Sequence, residues 1–371
     1  MKIAILHEML IKLGGAENVV LDLMEMFPEA DLYTLIYDEA KVGSKFPKEK
    51  IKGTPYMTQK IYNLTKKQRF CLPFMAKGVE SLDFSSYDMV ICSSSGFAHG
   101  AITKPETLHI VYCHSPARYL WDWTNEYKRD IGFSKGIKGF FMNSFFLKAR
   151  MWDFMAGQRC DFPIANSGEV QRRIFKYYNR EAEVILPPVM TDKFEIGEKP
   201  LKDRDYYVIT SALTEFKRVD LAVKAFNDLG LKLVVIGTGD QEEYLKSIAK
   251  ENVEFVGYKV TAQINEIYKN ARGFIFPVKE DFGIAPVEAM SAGIPVFGLR
   301  KGGLLETVVE GVTGEFFDFD DIGEFKTKFM DFHNKVEEGL FDREKIRLHA
   351  EKFRKEVFFD KLGKFIESKF Y

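Results

Sequence analysis

The sequence has few cysteines and no long apolar run. Its four cysteines, Cys71, Cys92, Cys113 and Cys160, lie far apart, which excludes a disulfide-rich scaffold and a cysteine-based zinc motif. No stretch approaches the roughly 20 apolar residues of a membrane-spanning helix, and the apolar run at the start is too short for a signal peptide. We therefore expect a cytoplasmic protein with reduced thiols.

Neither sign of charge is in excess. The chain has 53 Lys and Arg residues against 54 Asp and Glu residues, a formal net charge of −1. Any attraction to an anionic surface must therefore be local, and no nucleic acid is expected as a partner. A complete Gly-x-Gly-x-x-Gly motif is also absent, because Gly237-Thr238-Gly239 has no third glycine and does not follow a first strand. This absence disfavours a dehydrogenase.

The length of 371 residues fits two domains better than one. Apolar runs alternate with helical patterns, which predicts parallel sheets covered on both faces. The predicted strands are residues 2–6, 31–36, 89–93, 109–113, 162–166 and 182–186, then 206–211, 232–237, 253–256, 274–278 and 295–299. Pro187-Pro188 ends the first series, and the charged, proline-containing residues 187–204 are the candidate linker.

The segment 280–288, Glu-Asp-Phe-Gly-Ile-Ala-Pro-Val-Glu, carries the strongest functional signal. It follows an apolar run and enters a predicted helix with Pro286 in its first turn. The N–H groups of Gly283, Ile284 and Ala285 would be free at the positive end of the helix dipole, which suits a diphosphate. Glu288 could accept two hydrogen bonds from a sugar diol, and Glu280 could hold hydroxyls of a second sugar. Ordinary helix-start chemistry is the alternative.

A basic pair follows the first strand of the second domain. Lys217 and Arg218 open a helix after a loop that begins at Ser211. Two cations there could stabilise the negative charge that develops on a diphosphate leaving group. A solvated pair at a helix start is the alternative interpretation.

The first domain offers two further signals. The loop Gly14-Gly15-Ala16-Glu17 lets the backbone approach a ligand closely, although such turns before helices are common. His114 directly follows the predicted strand 109–113, at the carboxyl end where open α/β sheets place their ligands. A structural histidine is the alternative there.

Together these segments resemble family 4 glycosyltransferases. The resemblance rests on Glu-x7-Glu with Phe-Gly inside it, on the Lys217-Arg218 segment, and on the run from Tyr112 to Asp122 with its His-Ser-Pro. That run is similar to a subgroup that builds bacterial surface polysaccharides and includes several mannosyltransferases. One departure is Ala212, because many members have an arginine there that clamps phosphate.

The resemblance implies the GT-B fold, two doubly wound Rossmann-like domains facing across a cleft. The implied domains are residues 1–190 on the acceptor side and 200–352 for the nucleotide-sugar, with a C-terminal helix in 353–371 crossing back to the first domain. The implied catalytic residues are His114, Glu280, Lys217 and Arg218. The implied donor-binding residues are Gly15, Ser211, Lys217, Arg218, Tyr258, Lys259, Glu280, Phe282, Gly283, Ile284, Ala285 and Glu288. The implied acceptor-side residues are Gly14, Gly15, Ala16, Glu17, Ser115 and Asn166.

The implied activity is a retaining transfer of a hexose from a nucleotide-sugar to a glycan or lipid-linked oligosaccharide, with mannose from GDP-mannose as the first choice. The donor is a substrate, and no cofactor or metal is expected, because the nearest Asp-x-Asp, residues 318–320, lies beyond the last predicted strand. Three alternatives stay open: a UDP-sugar donor, a nucleotide-sugar epimerase or hydrolase, and a non-catalytic nucleotide-binding partner.

Two segments of the first domain combine basic and aromatic residues. Residues 59–77 contain five lysines and arginines and no acid, and residues 133–154 mix lysines and arginine with phenylalanines. This composition suits the anionic inner face of the plasma membrane. Helices with aromatic core faces and basic outer faces are the alternative.

Overall fold

The computed structural model of the protein describes residues 1–130, 136–319 and 321–369. The chain forms two compact units, Met1–Leu186 (unit 1) and Pro187–Tyr371 (unit 2). Each unit is built on one sheet in which every described strand pair is parallel. The predicted class of two parallel-sheet α/β units is therefore confirmed.

Unit 1 has a sheet of order β3-β2-β1-β4-β5-β6-β7. Its strands are β1 Ile3–Leu10, β2 Asp31–Tyr37, β3 Ile51–Gly53, β4 Met89–Ser94, β5 Leu108–Cys113, β6 Phe162–Ala165 and β7 Glu183–Val184. Its helices are α1 Gly15–Met26, α2 Glu39–Val42, α3 Tyr56–Thr65, α4 Leu72–Glu80, α5 Thr124–Asp130, α6 Gly136–Gly157 and α7 Gly168–Tyr178. The strand order reverses between β1 and β4, and ligands of open parallel sheets bind at the carboxyl ends beside such a reversal.

Unit 2 has a sheet of order β10-β9-β8-β11-β12-β13, with its reversal between β8 and β11. Its strands are β8 Tyr206–Thr210, β9 Leu233–Ile236, β10 Val253–Gly257, β11 Ala271–Phe276, β12 Val296–Leu299 and β13 Gly314–Phe317. Its helices are α8 Val219–Leu229, α9 Glu242–Ile248, α10 Thr261–Tyr268, α11 Ile284–Ser291, α12 Leu304–Thr307, α13 Ile322–Glu337, α14 Arg343–Ala350 and α15 Lys355–Glu367.

Two strands are absent from the sequence prediction. Both β3 and β13 are short strands at sheet edges. A run of three or four residues is too short to show a period of two. Their placement depends on pairing with β2 and β12, which local sequence does not reveal.

The abundant phenylalanines are partly explained by an aromatic core in unit 2. Phe297 on β12 packs against Phe317, with 5.2 Å between ring centroids. On α13, Phe329 lies 4.8 Å from Phe226 and 4.9 Å from Tyr207. Aromatic pairs at these separations add to the free energy gained from burial alone, so α13 is firmly attached to the sheet.

The predicted linker 187–204 is packed into unit 2. Phe194 and Arg204 are only 1% exposed. The Arg204 guanidinium donates to the carbonyls of Ala271 (2.9 Å) and Lys199 (3.0 Å), and burial lowers the pKa of Arg204 to about 10. Charge and proline made the segment look exposed, but the many donors of an arginine can satisfy buried carbonyls.

Candidate functional site

The loop after β8 is held by the backbone of a glycine turn. Leu213 N donates to Thr238 O (3.0 Å), and Gln241 N donates to Leu213 O (2.9 Å). A Cβ on Gly237 would lie 1.8 Å from Ser211 O, and one on Gly239 would lie 2.2 Å from Leu213 O. The turn at Gly237–Gly239 therefore packs directly against the backbone of the predicted phosphate loop at Ser211 and Leu213. Glycine is required at both positions because a Cβ would collide with that backbone.

The loop after β11 is fixed by a second pair of glycines. Gly303 N donates to Glu280 O (2.9 Å), and Glu280 forms an isolated parallel bridge with Gly302. Gly302 has φ +68°, and a Cβ there would lie 2.2 Å from Glu280 O. These two glycines set the position of Glu280.

The two loops meet through an ion pair between the Lys217 ammonium and the Glu280 carboxylate, side chains that are 19% and 23% exposed. Both groups follow strands that flank the reversal, β8 and β11. Arg218 pairs with Asp220, with 3.2 Å between Nε and Oδ1, and its backbone has the left-handed φ of +53°. The structure thus brings Lys217 to Glu280 and pairs Arg218 with Asp220.

The N-terminus of α11 has the predicted form. Gly283 precedes the helix with φ +89°, a conformation that favours glycine, and Pro286 lies in the first turn. No described residue accepts a hydrogen bond from the N–H of Gly283, Ile284 or Ala285. These groups are available to an anion at the positive end of the helix dipole.

Glu288 lies one turn into α11 and is partly buried. Burial raises its pKa to about 7. The Tyr268 hydroxyl donates to Thr210 Oγ1 (2.9 Å), and burial and the Glu288 charge raise the pKa of Tyr268. Within the described residues, no hydrogen bond or ion pair reaches the Glu288 carboxylate. A partly buried carboxylate without a partner is costly, so the Glu288 carboxylate is available to a ligand that can donate hydrogen bonds to it.

Three other predicted donor residues differ in environment. Tyr258 and Lys259 follow β10, at the sheet edge two strands from β8, and Tyr258 is 73% exposed. Phe282 is buried and packs edge-on against Phe353, with 5.9 Å between centroids. The Phe282 side chain therefore belongs to the core of unit 2, and its contribution to a ligand would be through its backbone.

In unit 1, three neighbouring strands present polar side chains at the carboxyl edge of the sheet. His7 on β1 is in register with Ser93 on β4, and His114 follows β5 directly. Ser93 Oγ lies 2.8 Å from His114 Nε2 and 3.0 Å from His7 Nδ1. Burial and the neighbouring His7 lower the pKa of His114 to about 3, so the ring is neutral at physiological pH.

The glycine-rich loop lies beside this cluster. Gly14 precedes α1, which begins at Gly15 and continues through Ala16. The Glu17 carboxylate, in the first turn, is 3.8 Å from His7 Nε2. The structure therefore connects two separately predicted features, the glycine loop and His114, through His7 and Ser93.

Glu8 is a buried carboxylate that the sequence analysis misses. Its Oε1 accepts hydrogen bonds from the N–H groups of Ser95 (2.9 Å) and Phe97 (2.6 Å) and from Ser94 Oγ (3.0 Å). These hydrogen bonds to Glu8 fix the loop that follows β4, the strand on which Ser93 lies. Consecutive polar residues where apolar strands end, at 7–8 and 93–94, are the signal that could have identified these groups.

The remaining predicted acceptor-side residues lie nearby in the fold. Ser115 Oγ accepts from Arg173 (3.1 Å). Asn166 follows β6 and is 6% exposed; its amide oxygen accepts from Ser167 Oγ (3.1 Å), which also caps α7. Both positions are at the carboxyl edge of the unit 1 sheet, but their polar groups already have protein partners.

The described part of the chain contains no group of three His, Cys, Asp or Glu side chains arranged to hold a metal ion. Of the Asp-x-Asp at 318–320, Asp318 pairs with Arg300 (2.8 Å), and residue 320 lies outside the described residues. None of the described helices is both long enough and apolar enough to span a bilayer.

Part of the chain is similar to known proteins. The family model of glycosyl transferases group 1 matches residues 191–340, which include Lys217, Glu280 and Glu288. The alpha-1,3/1,6-mannosyltransferase ALG2 of Saccharomyces cerevisiae is 30% identical over 193 residues, 38% of this chain and 38% of the yeast protein. The GDP-mannose-dependent alpha-(1-6)-phosphatidylinositol monomannoside mannosyltransferase of Mycolicibacterium smegmatis is 27% identical over 160 residues, 38% of this chain and 41% of its own.

Aligned regions span less than half the length of these curated relatives. Among solved structures, Anabaena HepE in complex with UDP is similar in fold, with a TM-score of 0.73 at 14% identity over 99% of this chain and 100% of its own. The match to the group 1 glycosyl transferases contains the whole of the unit 2 site, in agreement with the resemblance of the sequence to family 4.

Proposed function

We propose that this protein is a retaining hexosyltransferase that moves mannose from GDP-mannose to a glycan or lipid-linked oligosaccharide in surface polysaccharide synthesis. The observation that carries the proposal is the set of groups after β8 and β11: the Lys217 cation, the open N–H groups of α11 and the unpartnered Glu288 carboxylate. A diphosphate complements the first two, and a ribose diol complements the third.

In the proposed reaction, the acceptor hydroxyl oxygen forms a bond to the anomeric carbon while the bond from that carbon to the diphosphate oxygen breaks. Attack occurs on the face from which the diphosphate leaves, and the hydroxyl proton passes to a diphosphate oxygen. Lys217, Arg218 and the start of α11 stabilise the negative charge that develops on the leaving group. Glu280 accepts hydrogen bonds from the hexose hydroxyls, and His114 contacts the hexose.

The choice of mannose is supported by the names of the yeast and mycobacterial relatives, one of which is GDP-mannose-dependent. A UDP-sugar is the competing donor, since the structurally similar HepE was solved with UDP. Both donors share the ribose and the diphosphate. The base and the hexose therefore distinguish them, and thermal-shift measurements with GDP- and UDP-sugars separate the two because the preferred donor raises the unfolding temperature most.

A transferase is distinguished from a hydrolase or epimerase by incubation with the donor alone. We expect slow release of the nucleotide diphosphate without an acceptor and rapid release with lipid-linked oligosaccharides, and a product whose anomeric configuration by NMR matches that of the donor. Rapid hydrolysis or epimerisation of the donor alone would support the rival enzymes. Nucleotide binding without turnover on any acceptor would support a non-catalytic partner.

The proposed transfer is independent of a divalent metal. Lys217, Arg218 and the N–H groups of α11 supply the positive charge that a metal ion would bring to the diphosphate. Turnover is expected to persist in EDTA, and loss of turnover that magnesium or manganese restores would overturn this chemistry.

We also propose that unit 1 binds to an anionic membrane surface. The proposed contact is a basic apolar segment spanning α3 to α4, in which Tyr56, Leu64 and Phe70 are 74%, 77% and 47% exposed. The exposed side chains of Lys60, Lys66, Lys67, Arg69 and Lys77 accompany them. Apolar side chains combined with lysines and arginines match the boundary between acyl chains and anionic headgroups. Residues 133–135 of the second predicted segment, 133–154, lie outside the described residues.

A further inference from the structure

A continuous chain of polar side chains extends from His114 into the interior of unit 1. Ser93 Oγ contacts both His114 Nε2 (2.8 Å) and His7 Nδ1 (3.0 Å), and His7 Nε2 lies 3.8 Å from Glu17 Oε1. Ser93, His7 and Glu17 are at most 6% exposed. Because buried polar groups are costly unless they are paired, the direction of each hydrogen bond in this chain is constrained.

The Ser93 carbonyl sets that direction. It lies 3.2 Å from His7 Nδ1, and a carbonyl oxygen can only accept, so His7 carries a proton on Nδ1. His7 Nε2 faces the Glu17 carboxylate, which is also an acceptor. Both nitrogens of His7 therefore face acceptors.

The proton of the Ser93 hydroxyl is then directed at His114. The Nδ1 proton of His7 is shared between the Ser93 carbonyl and Ser93 Oγ. Ser93 Oγ is therefore an acceptor toward His7 and gives its own proton to His114 Nε2. A ring nitrogen that accepts is unprotonated, so the single proton of a neutral His114 resides on Nδ1.

We propose that Glu17, His7 and Ser93 are positioning residues that hold His114 as the neutral Nδ1–H tautomer, so that the ring offers one uncharged donor to a sugar oxygen. No described residue forms a hydrogen bond with His114 Nδ1. A neutral donor suits a hexose hydroxyl or ring oxygen, whereas an imidazolium would be drawn to the diphosphate. That His114 donates to a sugar rests on the proposed function, whereas the tautomer of His114 depends only on residues of unit 1.

The tautomer is measurable without any substrate. In long-range proton–nitrogen NMR spectra of the full chain with labelled histidine, the signals of His114 are assigned by their loss in His114→Ala. We expect a protonated Nδ1 and an unprotonated Nε2. Ser93→Ala should abolish this pattern, because nothing then donates to Nε2. Ser94→Ala is the matched control: it removes the neighbouring buried hydroxyl, which contacts Glu8, and should keep the pattern.

A second pair of variants tests His7, the next residue after Ser93 in this series of hydrogen-bonded side chains. His7→Asn retains an amide donor where Nδ1 was and should preserve the tautomer, whereas His7→Leu should not. Turnover should fall about three- to tenfold in Ser93→Ala, as for loss of one hydrogen bond, with little change in the donor KM.

A proton on His114 Nε2 in the wild-type chain, or a wild-type pattern in Ser93→Ala, would overturn the inference. The expected tautomer together with unchanged turnover in His114→Ala would instead confirm the positioning chain and contradict the proposed contact of His114 with the hexose.

Discussion

The Lys217 ammonium pairs with the Glu280 carboxylate, joining the two loops that follow β8 and β11. A diphosphate bound at the start of α11 would compete with Glu280 for the same cation. The cation is therefore positioned in advance at the point where leaving-group charge would develop, the condition under which a fixed charge is most effective.

We expect Lys217→Ala to lower kcat more than it raises the donor KM. Removing one preorganised donor should cost about 2 to 4 kcal/mol of transition-state stabilisation. Lys224→Ala is a suitable control, because Lys224 pairs with Asp220 (3.0 Å) on the same helix and lies outside the proposed site. Steady-state kinetics in which the two variants lose turnover equally would contradict the assigned role of Lys217.

Nucleotide binding is predicted to depend on pH through Glu288. Burial raises the pKa of Glu288 to about 7, and only the ionised carboxylate can accept both hydrogen bonds of the ribose diol. Affinity should therefore be constant above this pKa and fall as the pH drops through it, by about tenfold between pH 8 and pH 6. Calorimetric titrations of the nucleotide into Glu288→Gln from pH 6 to pH 8 are the control. Glutamine does not titrate, so any pH dependence that remains in this variant comes from the nucleotide or from other groups. An identical pH dependence in that variant would exclude Glu288 as its origin.

The glycine at 302 is predicted to be essential for the position of Glu280. Gly302→Ala should destabilise the protein by more than the roughly 1–2 kcal/mol that a left-handed alanine costs, because its Cβ would meet Glu280 O at 2.2 Å. Gly311→Ala is the matched control, with φ +75° and no atom within 4 Å of the added Cβ. If denaturant titrations show that Gly302→Ala and Gly311→Ala lose the same unfolding free energy, the collision of the added Cβ with Glu280 O has no energetic cost and the prediction is wrong.

Membrane association is predicted to be electrostatic and local to α3–α4. Vesicles with anionic lipid should sediment the protein at low salt, and binding should fade as screening increases. A Lys66→Ala, Lys67→Ala, Arg69→Ala variant should lose this binding. The same number of changes in unit 2, at the exposed Lys246, Lys345 and Lys364, should not. Equal partitioning to neutral and anionic vesicles would argue against the basic apolar segment.

Much of the fold was predictable because its long strands are apolar on both faces. The predicted strand at 206–211 agrees with β8 to within one residue, and the predicted helix with Pro286 in its first turn is α11. Short edge strands such as β3 gave no local pattern. The packing of the candidate linker 187–204 was not predictable, because the burial of Arg204 depends in part on the carbonyl of Ala271, 67 residues away.

The same limit applies to the site. Glu280, Glu288 and His114 were identifiable because each lies in a local motif beside a strand end. His7, Ser93 and Glu8 were not, because their meaning comes from register between strands that are distant in sequence, such as His7 with Ser93. Local sequence also could not show that Lys217 pairs with Glu280 while Arg218 pairs with Asp220.

The central claim, that unit 2 binds a nucleotide-sugar through Glu288, is tested most directly by calorimetric titration of GDP-mannose and UDP-glucose into the wild-type chain and Glu288→Ala at about pH 8. Loss of charge-assisted bonds worth roughly 1.5 to 3 kcal/mol should weaken binding of the preferred donor about tenfold to a hundredfold, without loss of folding. Binding of neither donor by the wild-type chain, or equal affinity in both proteins, would contradict the account.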